Sequence, residues 1–142
     1  MQVNVSDSIQ KPIHEVYNAI INPLKIVNYF TSAVSGNMKV GEEVDWEFKD
    51  ADCTETIKIL ELEENAKLSF EWTASGQSAR VDIQLTAKES NQTKITITEG
   101  SFDLKEEQVK RMMGQTHGWV DFICSLKAWL YTGVNIRNGQ KT

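Results

Sequence analysis

The chain has little that could staple it or carry it elsewhere. Two cysteines, Cys53 and Cys124, stand far apart in 142 residues and form no C-x-x-C pair, so small buried thiols are expected rather than a disulfide framework. No apolar run approaches the roughly 18 residues of a membrane span. The opening "MQVNVSDSIQ" has no charged n-region and no apolar h-region, which sets a cytoplasmic location as the expectation. Positive charge is also short: 15 basic against 20 acidic residues leave a net charge of −5. A phosphate-backbone binder needs a basic face, and an anionic membrane surface attracts one, so neither nucleic acid nor membrane is expected as a partner. Repeats, low-complexity segments and linkers are absent. No His/Cys/Asp/Glu cluster has metal-ligand spacing, and there is no nucleophile elbow, P-loop or dinucleotide fingerprint. Hence no metal and no cofactor is expected.

What remains is the material of one ordinary domain over residues 1–142, 40% apolar and 25% charged. A domain of about 150 residues buries roughly 70% of its unfolded surface, enough for a core without staples. "VNVSDSI" alternates, with Val3, Val5 and Ile9 on one parity, as a half-buried strand does. "QKPIHEVYNAI" then switches to helical spacing at Ile13, Val16, Tyr17 and Ile20, with Pro12 suited to the first turn. Pro23 restricts Asn22, so a break and a second short helix follow in "NPLKIVNYF".

The middle alternates strand by strand. Val44, Trp46 and Phe48 share one face; so do Leu68, Phe70 and Trp72, with Ser69 and Glu71 outward; so do Val81, Ile83 and Leu85, and Ile95 with Ile97. In "TETIKILELEE" the apolar parity changes after Ile59, which predicts a bulge or strand end near Leu60. The separators "EENAK", "ASGQS" and "ESNQ" are turn chemistry, so the strands are expected to be antiparallel hairpins with one face covered.

The cover must be a helix over 105–131, which holds no proline. At about 100° per residue, Met112, Trp119, Ile123, Leu126 and Leu130 fall in one sector, flanked by Val109 and Val120 on one side and Phe122 and Trp129 on the other. His117, Asp121 and Ser125 lie outside it. So wide an apolar arc fits a helix laid across a strongly curved sheet. Such an arrangement either packs solid or leaves a pocket lined by aromatic groups.

Three stretches carry a family resemblance: "IQKPIHEVYNAIINPLKIVNYF", "ILELEENAKLSFEW" and "GWVDFICSLKAWLYTG". They resemble, in turn, the opening strand and helix, the Trp-ended hairpin and the C-terminal helix of the proteins named for the activator of the heat-shock protein 90 ATPase. Tyr17 stands where that family commonly has Trp, and Gly36 and Gly41 resemble its glycines before the sheet. The family sits within the START and birch-pollen-allergen superfamily. The resemblance implies an α+β helix-grip fold: a curved antiparallel sheet around a long C-terminal helix, with two short helices after the first strand. It also implies a central cavity. It implies no particular reaction, because that fold hosts binders, transporters, cyclases and chaperone activators.

The expected cavity wall is drawn from Tyr29, Trp46, Phe70, Trp72, Ile97, Met112 and Trp119. Glu99 shares the inward parity of Ile95 and Ile97. If the strand stays regular its carboxylate enters the cavity; if Gly100 breaks the strand it escapes at the rim. Asp7 has the same ambiguity, and Gln115 and Thr116 flank the helix's apolar sector. His14 and His117 read as solvated. Three functions compete: non-enzymatic binding of a small hydrophobic or amphipathic molecule, a cyclase or hydrolase using the same cavity, and a chaperone-associated protein acting through its surface. The first leads because it needs only the cavity, and no acid–base pair supports catalysis. Either a monomer or a homodimer is compatible.

Overall fold

A computed structural model describes residues 1–137. Seven antiparallel strands form one curved sheet, in the order β1-β7-β6-β5-β4-β3-β2. They are β1 (Gln2–Ile9), β2 (Ala33–Val34), β3 (Glu43–Phe48), β4 (Cys53–Glu63), β5 (Lys67–Trp72), β6 (Ala79–Glu89) and β7 (Gln92–Gly100). Helices α1 (Ile13–Ile21) and α2 (Pro23–Ile26) follow β1, and α3 (Glu106–Thr132) lies last. This is the helix-grip architecture, with α3 on the covered face of the sheet.

Local chemistry sets each boundary. Pro12 is the cap of α1 in extended conformation, one residue ahead of the helix rather than inside its first turn. Asn22 ends α1 and caps α2, its side chain accepting from the Leu24 amide at 2.9 Å. The parity change in β4 is a register shift between Ile59 and Glu61. Asn65 and Gly76 take positive φ, 59° and 91°, in the turns after β4 and β5. Gly133, at φ 72°, ends α3 with its amide on the Trp129 carbonyl at 2.8 Å, a left-handed C-terminal cap.

The inward strand residues form the core. Trp46, Phe70, Ile57, Ile59, Val81, Ile95 and Ile97 are all 0% exposed. Each such side chain contributes about 1.5–3 kcal/mol of burial against leaving it in water. From α3 come Trp119, Phe122, Ile123 and Leu126.

Several expectations need correction. Val120 is 45% exposed, so the buried arc of α3 is narrower on that side than the helical wheel suggests. Ser125, expected outside the arc, is 0% exposed. Both follow from a rotation of the buried face toward Phe122 and away from Val120. Cys53 and Cys124 are exposed, not buried: one starts β4 opposite Phe48 and the other sits on the outer side of α3. Ser69 points to the outer face as expected, yet it is 0% exposed. Side chains of Glu61, Lys67, Arg80 and Asp82 close over it. Ser69 Oγ donates to Asp82, Lys67 reaches Glu61 at 2.7 Å, and Arg80 bridges Glu61 and Asp82 at 3.1 Å to each.

Candidate functional site

The inward face of the sheet is mostly apolar, and two of its carboxylates lie at the site. Glu99 on β7 shares parity with Ile95 and Ile97, and Glu55 on β4 shares parity with Ile57 and Ile59. Glu55 stands directly opposite Trp46 of β3. The strand around Glu99 does stay regular. Gly100 pairs with Gln2 on one side and Arg80 on the other, so β7 continues past Glu99. A Cβ on Gly100 would lie 2.8 Å from the Cβ of Gln2. Glycine there lets β1 approach; it does not break the strand.

Glu99 is therefore 0% exposed. Three neutral donors hold it. Trp119 Nε1 donates to Oε1 at 2.8 Å, Trp72 Nε1 donates to Oε2 at 3.1 Å, and Gln115 Nε2 reaches both oxygens at 3.1 and 3.2 Å. Indole nitrogen can only donate, so both tryptophans are oriented with their N–H edges toward one carboxyl group. A buried polar group without such partners would cost several kcal/mol.

All three donors also line an open cleft of about 320 Å³. Its walls include Phe30, Phe48, Trp72 and Trp119; Glu55, His117, Asp121 and Arg137 add charge or polarity. Ring contacts order the apolar wall. Phe30 and Phe48 meet edge-to-face at 5.0 Å, and Trp72 and Trp119 lie 5.5 Å apart at 33°. The volume falls at the small end of the roughly 300–1,000 Å³ typical of ligand pockets. Burial pushes the Glu55 carboxyl above its usual range. The Cys53 thiol beside it is also pushed up, by burial first and then by the carboxylates of Glu55, Asp50 and Asp52.

The residues expected in a cavity wall divide between two layers. Trp72 and Trp119 face the cleft, and Glu99 lies directly behind them. Trp46 and Phe70 form the packed layer beneath, 5.2 Å apart and touching Trp72 at 6.1 and 5.3 Å. Ile97 is buried between Val5 of β1 and Ile83 of β6. Tyr29 is buried against Phe122 and Trp129, and its hydroxyl donates to the Ala19 carbonyl at 2.9 Å. Burial holds that phenol well above its ordinary value. Met112 is half-buried, packed on the edge of the core. Thr116 donates to the Met112 carbonyl of its own helix and so faces no ligand space with its hydroxyl. Asp7 lies outside, paired with Lys127 at 3.2 Å. His14 is exposed; His117 is exposed too, but on the cleft rim.

Sequence reasoning missed Glu55 and Arg137. Glu55 was legible from its parity with Ile57 and Ile59. Arg137 carries no periodic signal, because it enters through the tail beyond α3. Among the described residues no group of His, Cys, Asp and Glu could hold a metal ion, and no helix is long and apolar enough to cross a membrane.

The family model described as "Activator of Hsp90 ATPase homolog 1-like protein" matches residues 10–131. A search of the curated proteins finds no match. Among solved structures, the chain is similar to the protein SSP2350 from Staphylococcus saprophyticus, with 30% identity, 96% of each chain covered and a TM-score of 0.84. It is similar to DynU16 of the dynemicin biosynthetic locus, with 25% identity and a TM-score of 0.82; the likeness covers 94% of this chain and 48% of that one. The Aha1 dimer from Colwellia psychrerythraea shares the fold, with 21% identity, a TM-score of 0.80 and coverage of 94% and 98%.

Proposed function

The chain belongs to the family of Activator of Hsp90 ATPase homolog 1-like proteins, and from that premise we propose that it binds a small hydrophobic or amphipathic molecule, without catalysing a reaction, in the cleft between α3 and the sheet. One observation carries this reading. Trp72 and Trp119 each turn their one polar atom, the indole N–H, to Glu99, which leaves their ring surfaces and the rings of Phe30 and Phe48 as the cleft wall. A wall so arranged is stiff and pre-formed, so little ordering is needed on binding. Apolar burial then supplies most of the affinity, at roughly 25 cal/mol per Å² before association costs.

Catalysis is the weaker alternative. The buried carboxyl of Glu99 is enclosed by donors that hold it in place, and among the described residues it has no partner placed as the second half of an acid–base pair. A chaperone partnership draws support from the family description alone, whereas the cleft draws it from geometry.

The test is a titration with Nile red, followed by displacement with fatty acids, flavonoids and aromatic polyketides. Saturable binding with tryptophan quenching, weakened in a Trp72→Phe variant that unfolds as cooperatively as wild type, supports the cleft. A folded protein that binds none of these compounds sinks it.

A further inference from the structure

The cleft is apolar in its walls and acidic in its charge. Glu55 and Asp121 line it, Asp50 stands beside it, and Glu99 lies behind its donors. Among the described lining residues Arg137 alone is a permanent cation. That arginine is engaged by two carboxylates and a ring. Its Nη1 donates to Asp121 Oδ2 at 2.7 Å, its Nη2 reaches Asp50 Oδ2 at 3.5 Å, and its guanidinium lies 5.5 Å from the centre of the Phe30 ring.

Two carboxylates beside an aromatic face make a cation site. Here the chain supplies the cation from outside the grip. Gly133 turns the backbone at the end of α3, and the following residues run back along the helix, so that Arg137 meets Asp121. Asp121 lies 11 residues before the end of α3, about 16 Å along the axis. The arginine is held by two ion pairs whose carboxylates are about a third exposed, 32% for Asp50 and 30% for Asp121, so a competing cation can reach them. Burial first, and then the carboxylates of Glu55, Asp50 and Asp52, push the Cys53 thiol up.

Resting on the ligand-binding reading above, we infer that the cleft takes a flat aromatic ligand bearing a cationic nitrogen, and that Arg137 fills the position of that nitrogen until the ligand displaces it. The rings of Phe30, Phe48, Trp72 and Trp119 receive the flat part. Asp121 and Asp50 receive the charge, with Glu55 adding to the field. The net charge of −5 draws cations toward the molecule.

Three probes with one ring skeleton test this on the full chain: N-methylacridinium, acridine and acridine-9-carboxylate, titrated above neutral pH. The cation should bind roughly fivefold or more tightly than neutral acridine, and the anion weakest. Arg137→Ala should tighten the cation by roughly threefold or more while changing acridine little. Methylguanidinium should compete with N-methylacridinium in Arg137→Ala but not in wild type, because only the variant leaves the arginine's position open. Adding Asp121→Asn to Arg137→Ala should abolish the gain. Equal binding of all three probes overturns the cation preference, and no competition by methylguanidinium overturns the role of Arg137; both outcomes leave the ligand-binding reading standing. A folded protein that binds no acridine probe overturns this inference, and the Nile red titration decides the ligand-binding reading separately.

Discussion

Trp119 on α3 donates its indole N–H to Glu99 on β7 at 2.8 Å, with the two residues 2% and 0% exposed. Apolar contacts between a helix and a sheet are non-directional and tolerate sliding. A buried hydrogen bond is directional; Gln115 repeats it from one turn earlier on α3, and Trp72 of β5 donates to the same carboxyl from within the sheet. The two bonds from α3 fix where that helix lies along the sheet, and with it the shape of the cleft.

Replacing Glu99 with Gln keeps the size and removes one acceptor. The new amide group would turn its own N–H bonds toward a set of donors. The expected loss is about 1–3 kcal/mol, read from urea unfolding. A variant as stable as wild type would mean that the bonds from Gln115 and Trp119 do not hold the helix in place.

On α3 itself, Leu126→Ala should cost about 2–5 kcal/mol, since Leu126 is 0% exposed. Val120→Ala, at a position 45% exposed, should change stability by less than about 0.5 kcal/mol. Equal losses in thermal or urea unfolding would contradict the rotation of the buried face away from Val120.

Cys53 lines the cleft and Cys124 does not, although both are exposed. An occupied cleft should slow iodoacetamide alkylation of Cys53 and leave Cys124 untouched, as peptide mass spectrometry can read. The Cys53 thiol is raised by burial and by nearby carboxylates, Glu55 first among them. Glu55→Gln should therefore speed its alkylation, because less negative charge opposes the thiolate. Protection of both thiols by the same ligand would point to binding elsewhere.

Acid should loosen the outer face of the sheet. Burial raises the Asp82 carboxyl, but hydrogen bonds from Arg80 and Ser69 and the charges of Arg80 and Lys67 outweigh it, so the carboxyl lies below its usual value. Glu61 is lowered too, chiefly by its hydrogen bond from Lys67. A depressed carboxylate contributes stability above its unfolded pKa and loses it as pH falls through the folded one. The contribution should fade below about pH 4, the ordinary carboxylate range. Asp82→Asn should flatten that part of a stability–pH profile, by less than about 1 kcal/mol given the partial exposure. An unchanged acid limb would remove Asp82 from the account.

The order and type of the elements were legible because hydrophobic period is a local property. Alternation at Val44, Trp46 and Phe48 and again at Leu68, Phe70 and Trp72 could only suit a half-covered sheet, and the 3.6-residue spacing of Trp119, Ile123, Leu126 and Leu130 could only suit its cover. The bulge after Ile59 was legible for the same reason. Even the inward direction of Glu99 was present in its parity with Ile95 and Ile97. What parity could not decide was whether Gly100 ended the strand, because that depended on β1 arriving within 2.8 Å of the space a side chain would fill. Nor could any local pattern aim Trp72, Gln115 and Trp119 at one carboxyl group, since they come from β5 and α3 and meet Glu99 of β7 only after the sheet curves. The exposure of Val120 and the burial of Ser125 were set by how α3 rolls on that surface. Arg137 was the least legible of all: a single cation outside every periodic element acquires a role only when Gly133 turns the chain back and brings it to Asp121, Asp50 and Phe30. Periodicity thus determined the elements and the faces they bury, while the convergence of distant side chains, on which the cleft depends, was decided by packing in three dimensions.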